Sequence, residues 1–241
     1  LKTGSAGILP ASEKSRRANK DVRAPRFEMD KQELADLRRD FSSGGLSESA
    51  LAASPFDQFS AWMNDALAAD IIDPNAMTVS TVGEDGRPSA RVVLLKYFGE
   101  DGFAFFTNYE SKKGSDLAAN PFTLLHFFWP KLDRQVAIYG RVEKTSREES
   151  EKYFSSRPVE SRLGAWASNQ SRIIESREVL NERVAELREK FGDIVPLPPF
   201  WGGFRLTPDK FEFWLGRQNR LHDRIVYELK DGLWDIVRLS P

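Results

Sequence analysis

The sequence predicts a mostly β fold with packed helices (α+β), an antiparallel barrel that is closed or partly closed with helices outside it. Three observations carry this reading. Strand-length apolar blocks recur from Ala76 to Thr145 and again from Trp201 to Arg238. Asp85-Gly86 and Asp101-Gly102 lie between such blocks and supply the turn chemistry of antiparallel hairpins. No regular crossover helices separate the strands, which argues against a doubly wound parallel sheet.

Taken in order, residues 1–29 are rich in Lys and Arg and poor in large apolar side chains, the signature of a disordered basic tail. Residues 30–241 then read as a single domain. Asp30 can cap a short helix to Phe41 carrying Leu34 and Leu37 on one face, stopped by Gly44-Gly45. Its basic end, Arg38-Arg39-Asp40-Phe41, suits either a solvated helix terminus or a lid over a ligand. Ser54-Pro55 opens a second helix to about Ala69, with Phe56, Phe59, Trp62, Met63 and Leu67 as its core stripe. Strands follow at Ala76 to Val82, Ser89 to Phe98 and Phe103 to Asn108. Within the second of these, Val92-Val93-Leu94-Leu95 reads as buried on both faces, bracketed by Arg91 and Lys96. Ser111 caps a helix ending at Asn120-Pro121. Two long strands, Phe122 to Trp129 and Arg134 to Thr145, precede helices at Ser146 to Phe154, Ser161 to Gln170 and Ser176 to Phe191. The last helix is amphipathic through Val179, Leu180, Val184, Leu187 and Phe191. After the stiff Pro196-Leu197-Pro198-Pro199 come four short strands: Trp201 to Leu206, Phe211 to Trp214, Arg224 to Leu229 and Leu233 to Arg238.

Composition narrows the chemistry. With 241 residues, 40% apolar and 29% charged, the chain can bury a sizeable core without staples. A net charge of -1 gives no global pull toward nucleic acid or an anionic membrane. No apolar run approaches the roughly 18 residues of a membrane-spanning helix. The absence of cysteine removes disulfides and thiolate chemistry, and fits a cytoplasmic setting. The two histidines, His126 and His222, are isolated in sequence, so no metal site is expected. His126, inside Leu124-Leu125-His126-Phe127-Phe128, reads as a core or interface residue. Phosphate-loop, nucleophile-elbow and dinucleotide fingerprints are lacking.

What remains is cations and amide or hydroxyl donors. Near the C-terminal end, Phe213-Trp214 leads through Gly216-Arg217-Gln218-Asn219 into Arg220-Leu221-His222-Asp223-Arg224. Guanidinium groups grip oxyanions and stack on π-faces, so this segment suits a flat anionic ligand. It equally suits a surface hairpin with a structural Trp. Ser111-Lys112-Lys113-Gly114 places two lysines beside free N–H groups at a helix start, either a phosphate site or an ordinary capped helix. If Arg91, Lys96, Lys112, Lys113, Gln135, Arg157, Gln170, Ser171, Arg220 and Arg224 converge, they can hold two phosphorylated aromatic molecules, one of them a cofactor.

From Leu37 to Pro241 the chain resembles the pyridoxine (pyridoxamine) 5′-phosphate oxidase family of FMN-binding split-barrel flavoproteins. The resemblance rests on an ordered series: Arg91 to Lys96, Phe106-Thr107-Asn108, Ser111-Lys112-Lys113, Arg134-Gln135-Val136, Tyr153 to Pro158, Gly164 to Ser168, Gln170-Ser171, Trp201-Gly202-Gly203, Glu212-Phe213-Trp214 and Arg220 to Arg224. It implies oxidation of pyridoxine or pyridoxamine 5′-phosphate to pyridoxal 5′-phosphate, by hydride transfer from C4′ to FMN with O2 reduced to hydrogen peroxide. It also implies a homodimer with FMN at the interface. On matching positions, Arg91, Lys112, Lys113 and Thr107 would hold the FMN phosphate. Val92, Leu94, Phe106, Gln135, Gln170, Ser171, Trp214 and Arg224 would hold the rest of the flavin. Lys96, Tyr153, Arg157 and Ser161 would grip the substrate phosphate. Arg220 and His222 would sit over the substrate ring, with Arg38 and Phe41 in a lid. Residues 200–241 would thus carry both flavin and substrate contacts. Two positions depart from the family pattern: Lys112 stands where relatives often carry Arg, and Phe41 replaces a frequent Tyr. Other readings are an FMN oxidase of the same fold acting on another aromatic, of phenazine type, and a non-catalytic flavin- or pyridoxal-phosphate-binding protein.

Overall fold

The structure is a computed structural model that describes residues 35–37, 41 and 44–241. The chain divides into two compact units, Leu1–Arg39 and Asp40–Pro241. In the first, Ala35 and Asp36 are helical and Leu37 is exposed. The tail expected at 1–29, most of the helix expected from Asp30, and Arg38 lie outside the described residues. Phe41 is not helical.

The second unit holds nine strands and five helices among the described residues. Helix α1 (Pro55–Ala68) starts where the Ser54 hydroxyl accepts the Phe56 N–H at 3.2 Å, with Pro55 needing no donor in the first turn. It buries Phe59, Trp62, Met63 and Ala66. Leu67, expected in that stripe, is instead exposed, because it falls outside the narrow arc that faces the sheet. Helices α2 (Lys112–Ala119) and α3 (Arg147–Ser155) are capped by the side chains of Ser111 and Ser146. Helix α4 spans Val159–Ala167 and ends three residues earlier than expected, leaving Gln170 and Ser171 in a loop where Ser171 has φ +70°. Helix α5 (Glu178–Phe191) keeps one apolar face half-buried and the rest in water.

The strands are β1 (Ala76–Val82), β2 (Pro88–Leu94), β3 (Tyr97–Gly99), β4 (Gly102–Asn108), β5 (Phe122–Trp129), β6 (Arg134–Lys144), β7 (Trp201–Leu215), β8 (Asp223–Lys230) and β9 (Leu233–Leu239). All pairings are antiparallel, in the order β2-β1-β5-β6-β7-β4-β3. Because β3 continues β2 after two residues, this path returns to its start and makes the antiparallel split barrel that the sequence implies. The expected strand Ser89 to Phe98 is therefore two strands, bent at Leu95-Lys96: the first pairs with β1 and the second with β4. Nor is it buried on both faces. Exposure alternates along β2, and Val92 is 68% exposed, because only one face has the core behind it.

A second correction concerns β7. Trp201 to Leu206 and Phe211 to Trp214 form one 15-residue strand, not two. Pro208 lacks a ladder donor, and the strand absorbs it at a bulge: Tyr139 pairs with Lys210 and Gly140 with Pro208, leaving Asp209 as the extra residue. One edge of β7 is shared, residues 201–206 pairing with β4 and residues 210–215 with the hairpin strand β8. Phe59, Phe103, Phe127, Phe211, Phe213 and Tyr227 fill the interior, each fully buried. Each ring of this kind contributes about 1.5–3 kcal/mol. A smaller core of Phe154, Leu163, Val195, Leu197 and Trp201 welds α3 and α4 to the start of β7. Arg147 ties the proline connector to it by donating to the carbonyls of Leu197 (2.7 Å) and Pro198 (2.9 Å).

Candidate functional site

One cavity of about 750 Å³ opens where β2, β4, α2, α3, α4 and the start of β7 meet. On its first side stand Arg91 from β2, Lys112 and Lys113 from the first turn of α2, Thr107 from β4, and Gln170 and Ser171 from the loop after α4. Lys113 is 7% exposed, and its ammonium donates to Thr107 Oγ1 (3.0 Å), Ser111 Oγ (3.4 Å) and Gln170 Oε1 (2.9 Å). Burial, and next the nearby charge of Arg91, pull its pKa down to about 8. Arg91 donates to the Val79 carbonyl (3.0 Å), to Thr81 Oγ1 (2.8 Å) and to Ser89 Oγ. The Ser171 hydroxyl accepts the Lys112 N–H at 3.2 Å, so the left-handed turn at Ser171 brings that loop onto the helix start.

The other side carries Lys96, Tyr153, Arg157 and Ser161. Its wall is a stack of rings: Tyr153 on Phe106 at 4.1 Å between centroids, and Phe106 on Trp201 at 5.7 Å. The Arg157 guanidinium lies 4.9 Å from the Trp201 ring and the Lys96 ammonium 5.8 Å from the Tyr153 ring. Burial lowers the pKa of Arg157. Its Nη1 is buried and has no hydrogen-bond partner. A buried orphan donor costs about 1–3 kcal/mol, and an anion delivered into the cavity would remove that cost.

A second constellation lies on β6, β7, β8 and the turn between the last two. Gln135, Trp214 and Arg224 are directly opposite one another across the three strands. The Trp214 and His222 rings sit 4.6 Å apart, and Phe41 meets both edge-on, at 5.8 and 5.2 Å. The Arg217 N–H donates to His222 Nδ1 at 3.1 Å, which leaves Nε2 as the nitrogen carrying the proton in the neutral ring. Arg224 pairs with Glu212 at 2.7 Å, and Gln135 bonds His126 at 3.0 Å. His126 is thus a satisfied, half-buried residue. Asn219 and Arg220 both have positive φ, +57° and +61°, an arrangement that non-glycine residues rarely hold and that directs the exposed Arg220 outward.

The residues expected to hold phosphates therefore converge, and Val92, Leu94 and Phe106 line the same cavity. Gln135, Trp214, Arg220, His222, Arg224 and Phe41 do not line it; they form the separate patch. Trp201, Asn108, Pro158 and Val93 also line the cavity and had no expected role. For Trp201 the signal was the glycine pair that follows: a Cβ on Gly202 would stand 2.2 Å from the Tyr109 hydroxyl, so strand and ring can close up only without one. Among the described residues no group of His, Asp and Glu is arranged to hold a metal ion, and no helix is long and apolar enough to cross a membrane.

Comparison with known proteins gives the same outline. Residues 63–191 match the family model described as pyridoxamine 5′-phosphate oxidase, and residues 201–241 match that of the pyridoxine 5′-phosphate oxidase C-terminal dimerisation region. The pyridoxine/pyridoxamine 5′-phosphate oxidase of Burkholderia multivorans is 57% identical over 211 residues, 86% of this chain and 99% of that protein. That of Cupriavidus pinatubonensis is 57% identical over 210 residues, 87% and 99% of the two chains. Among solved structures, PhzG from Burkholderia lata 383, in complex with tetrahydrophenazine-1-carboxylic acid, superposes with a TM-score of 0.77 at 30% identity, covering 82% of this chain and 98% of that one. A pyridoxamine 5′-phosphate oxidase-related, FMN-binding protein of Nostoc punctiforme shares the fold, with a TM-score of 0.64 at 16% identity over 79% of this chain and 100% of that one. Both family models, the 57% identity over most of the chain and the shared split barrel agree: the chain belongs to the pyridoxamine 5′-phosphate oxidase family of flavoprotein enzymes.

Proposed function

We propose that the protein is an FMN-dependent oxidase converting pyridoxine 5′-phosphate and pyridoxamine 5′-phosphate to pyridoxal 5′-phosphate, with O2 as electron acceptor. The observation that carries this is the pair of cationic groups within one cavity, Arg91-Lys112-Lys113 on one side and Lys96-Arg157 on the other. Two cationic grips in one cavity, the second backed by a wall of rings, suit a phosphorylated cofactor beside a phosphorylated ring.

Arg91, Lys112, Lys113 and Thr107 would hold the FMN phosphate, and Val92, Leu94, Phe106, Gln170 and Ser171 the rest of the cofactor. When bound, FMN supplies the two-electron acceptor that side chains lack. Lys96, Tyr153, Arg157 and Ser161 would fix the substrate by its phosphate, far from the reacting carbon, so that binding energy is spent on alignment. In a homodimer, the patch of a second copy would complete each cavity: Gln135, Trp214 and Arg224 toward the flavin, Arg220 and His222 over the substrate ring, Phe41 behind them. His222 would present its Nε2 proton to a ring acceptor, and Arg220 its positive charge. Neither needs to act as a strong base, since alignment and exclusion of water are the main demands of hydride transfer.

Similarity to PhzG favours a second reading, oxidation of a phenazine-type aromatic. The Lys96-Arg157 group argues for a phosphorylated substrate instead. Purified protein should be yellow, form peroxide with pyridoxine 5′-phosphate under air, and lose its flavin colour when the substrate is added anaerobically. Flavin that stays oxidised in that anaerobic mixture would sink the proposal.

A further inference from the structure

Behind the first side of the cavity, away from its lining, lies a carboxylate with no place in the function described above. Asp116 on α2 is 4% exposed. It accepts from Lys112 Nζ at 2.6 Å, Thr81 Oγ1 at 2.8 Å and Ser89 Oγ at 3.5 Å. Those two hydroxyls are the ones that Arg91 touches from the other side, Nη1 to Thr81 and Nη2 to Ser89.

The direction of this network is forced. A guanidinium only donates, an ionised carboxylate only accepts, and each hydroxyl has a single proton. The Thr81 proton goes to Asp116, its nearest acceptor at 2.8 Å, which leaves its lone pairs for Arg91; the Ser89 hydroxyl accepts from Arg91 and turns its own proton toward Asp116 Oδ2 or Thr81 Oγ1, each 3.5 Å away. Asp116 is ionised. Burial pushes its pKa up, but hydrogen bonds from Lys112 and Thr81, with the charges of Lys112 and Arg91, outweigh burial and leave it lowered. Space for the ion pair comes from Gly83, where a Cβ would stand 2.8 Å from Asp116 Oδ1 and 3.1 Å from Lys112 Nζ. The charges also balance. Arg91, Lys112 and Lys113 carry three positive charges, and Asp116 removes one, leaving the two that a phosphate dianion neutralises.

We infer that Asp116 is a positioning residue for phosphate recognition, orienting Arg91 through the Thr81 and Ser89 hydroxyls and holding Lys112 in its first-turn position by direct pairing. The inference rests on the reading of this cavity as the FMN site. Its ligand class is the phosphomonoester end of the cofactor, so the effect belongs to the phosphate and not to the flavin ring.

The test titrates flavin-stripped full-length protein with FMN and with riboflavin, which lacks the phosphate, following quenching of flavin fluorescence. Asp116→Asn should weaken FMN binding by roughly tenfold or more while changing riboflavin binding by less than about twofold, as expected when charge-assisted hydrogen bonds lose their geometry. Thr81→Val cuts the relay yet leaves the Lys112-Asp116 pair, and should give part of the same selective loss. It also carries the test if the Asn variant does not fold. The double variant should be no worse than Asp116→Asn alone, because both changes break one chain of bonds. Equal losses for FMN and riboflavin, an unchanged FMN affinity, or fully additive effects would each overturn the inference. Failure of the parent protein to bind either flavin would instead overturn the reading of the cavity.

Discussion

The cavity and the Trp214-His222 patch are built in opposite ways. The cavity is set in advance: Arg91 and Lys113 are tied to hydroxyl and carbonyl oxygens, and Lys113, the buried one of its cations, is held at a pKa of about 8 by lost hydration. The patch is open, built from rings in edge contact, with Arg220 exposed on a left-handed backbone. The difference teaches how work is divided. A pocket of hydrogen-bonded cations is suited to fixing where a phosphate sits, whereas an exposed aromatic and cationic face can complete a site only when something closes over it.

The largest effect should separate the two regions outright. Arg220→Ala combined with His222→Ala should lower turnover by about 100-fold or more, the scale of a misaligned hydride transfer, with FMN affinity nearly unchanged. Stopped-flow flavin reduction and fluorescence titration read the two quantities; loss of FMN from this variant would merge the regions. Within the cavity, Arg157→Ala should raise KM for pyridoxine 5′-phosphate by roughly 10- to 100-fold, the worth of a charged hydrogen bond, and leave FMN binding alone. Steady-state assays with bound FMN measured in parallel decide it.

A smaller effect is the pH response of the cradle. Lys113 has its pKa lowered to about 8, and the protonated form is the one that donates to a phosphate. FMN affinity should therefore be full only well below pH 8 and fall as pH rises through it, by roughly three- to tenfold between pH 7.5 and 9, with uptake of a proton on binding. Fluorescence titrations across that range test the sign, and Lys113→Met should flatten the dependence. Smallest of all, Phe41→Ala removes two edge-on ring contacts from the patch and should slow turnover by about two- to fivefold without touching FMN affinity. A loss of FMN there would extend the patch's role to the cofactor.

Much of the fold was legible because its signals are local. Asp-Gly turns, serine caps and alternating strands each depend on a few neighbouring residues, and the helix starts at Ser54, Ser111 and Ser146 are where the sequence places them. The misreadings have a common cause, which is that tertiary pairing overrode a local cue. Residues 201–206 and 211–214 read as two strands, whereas a bulge opposite Tyr139 and Gly140 takes up Pro208 and leaves one continuous strand. Val92 and Leu94 looked buried because apolar runs do not reveal whether a second layer covers them. Spacing alone could not bring Arg91, Lys113, Arg157 and Gln170 together, since they stand on different elements across 80 positions of chain. The ordered series of short motifs carried what spacing could not. Asp116 and Trp201 escaped because an acidic residue in a helix and a ring beside two glycines are common in any sequence.

The shared edge of β7 has a consequence for how the chain tolerates damage. Residues 210–215 rely on β8 to satisfy one row of their backbone donors and acceptors, while β4 covers only the first part of the same edge. A nick in the turn at 216–222 followed by loss of the last hairpin would uncover an extended strand bearing Phe211 and Phe213. Such a bare, ring-bearing ladder is a template for pairing with other chains. The hairpin thus also protects the protein from aggregation, and clipped molecules should leave solution as assemblies rather than persist as a smaller enzyme.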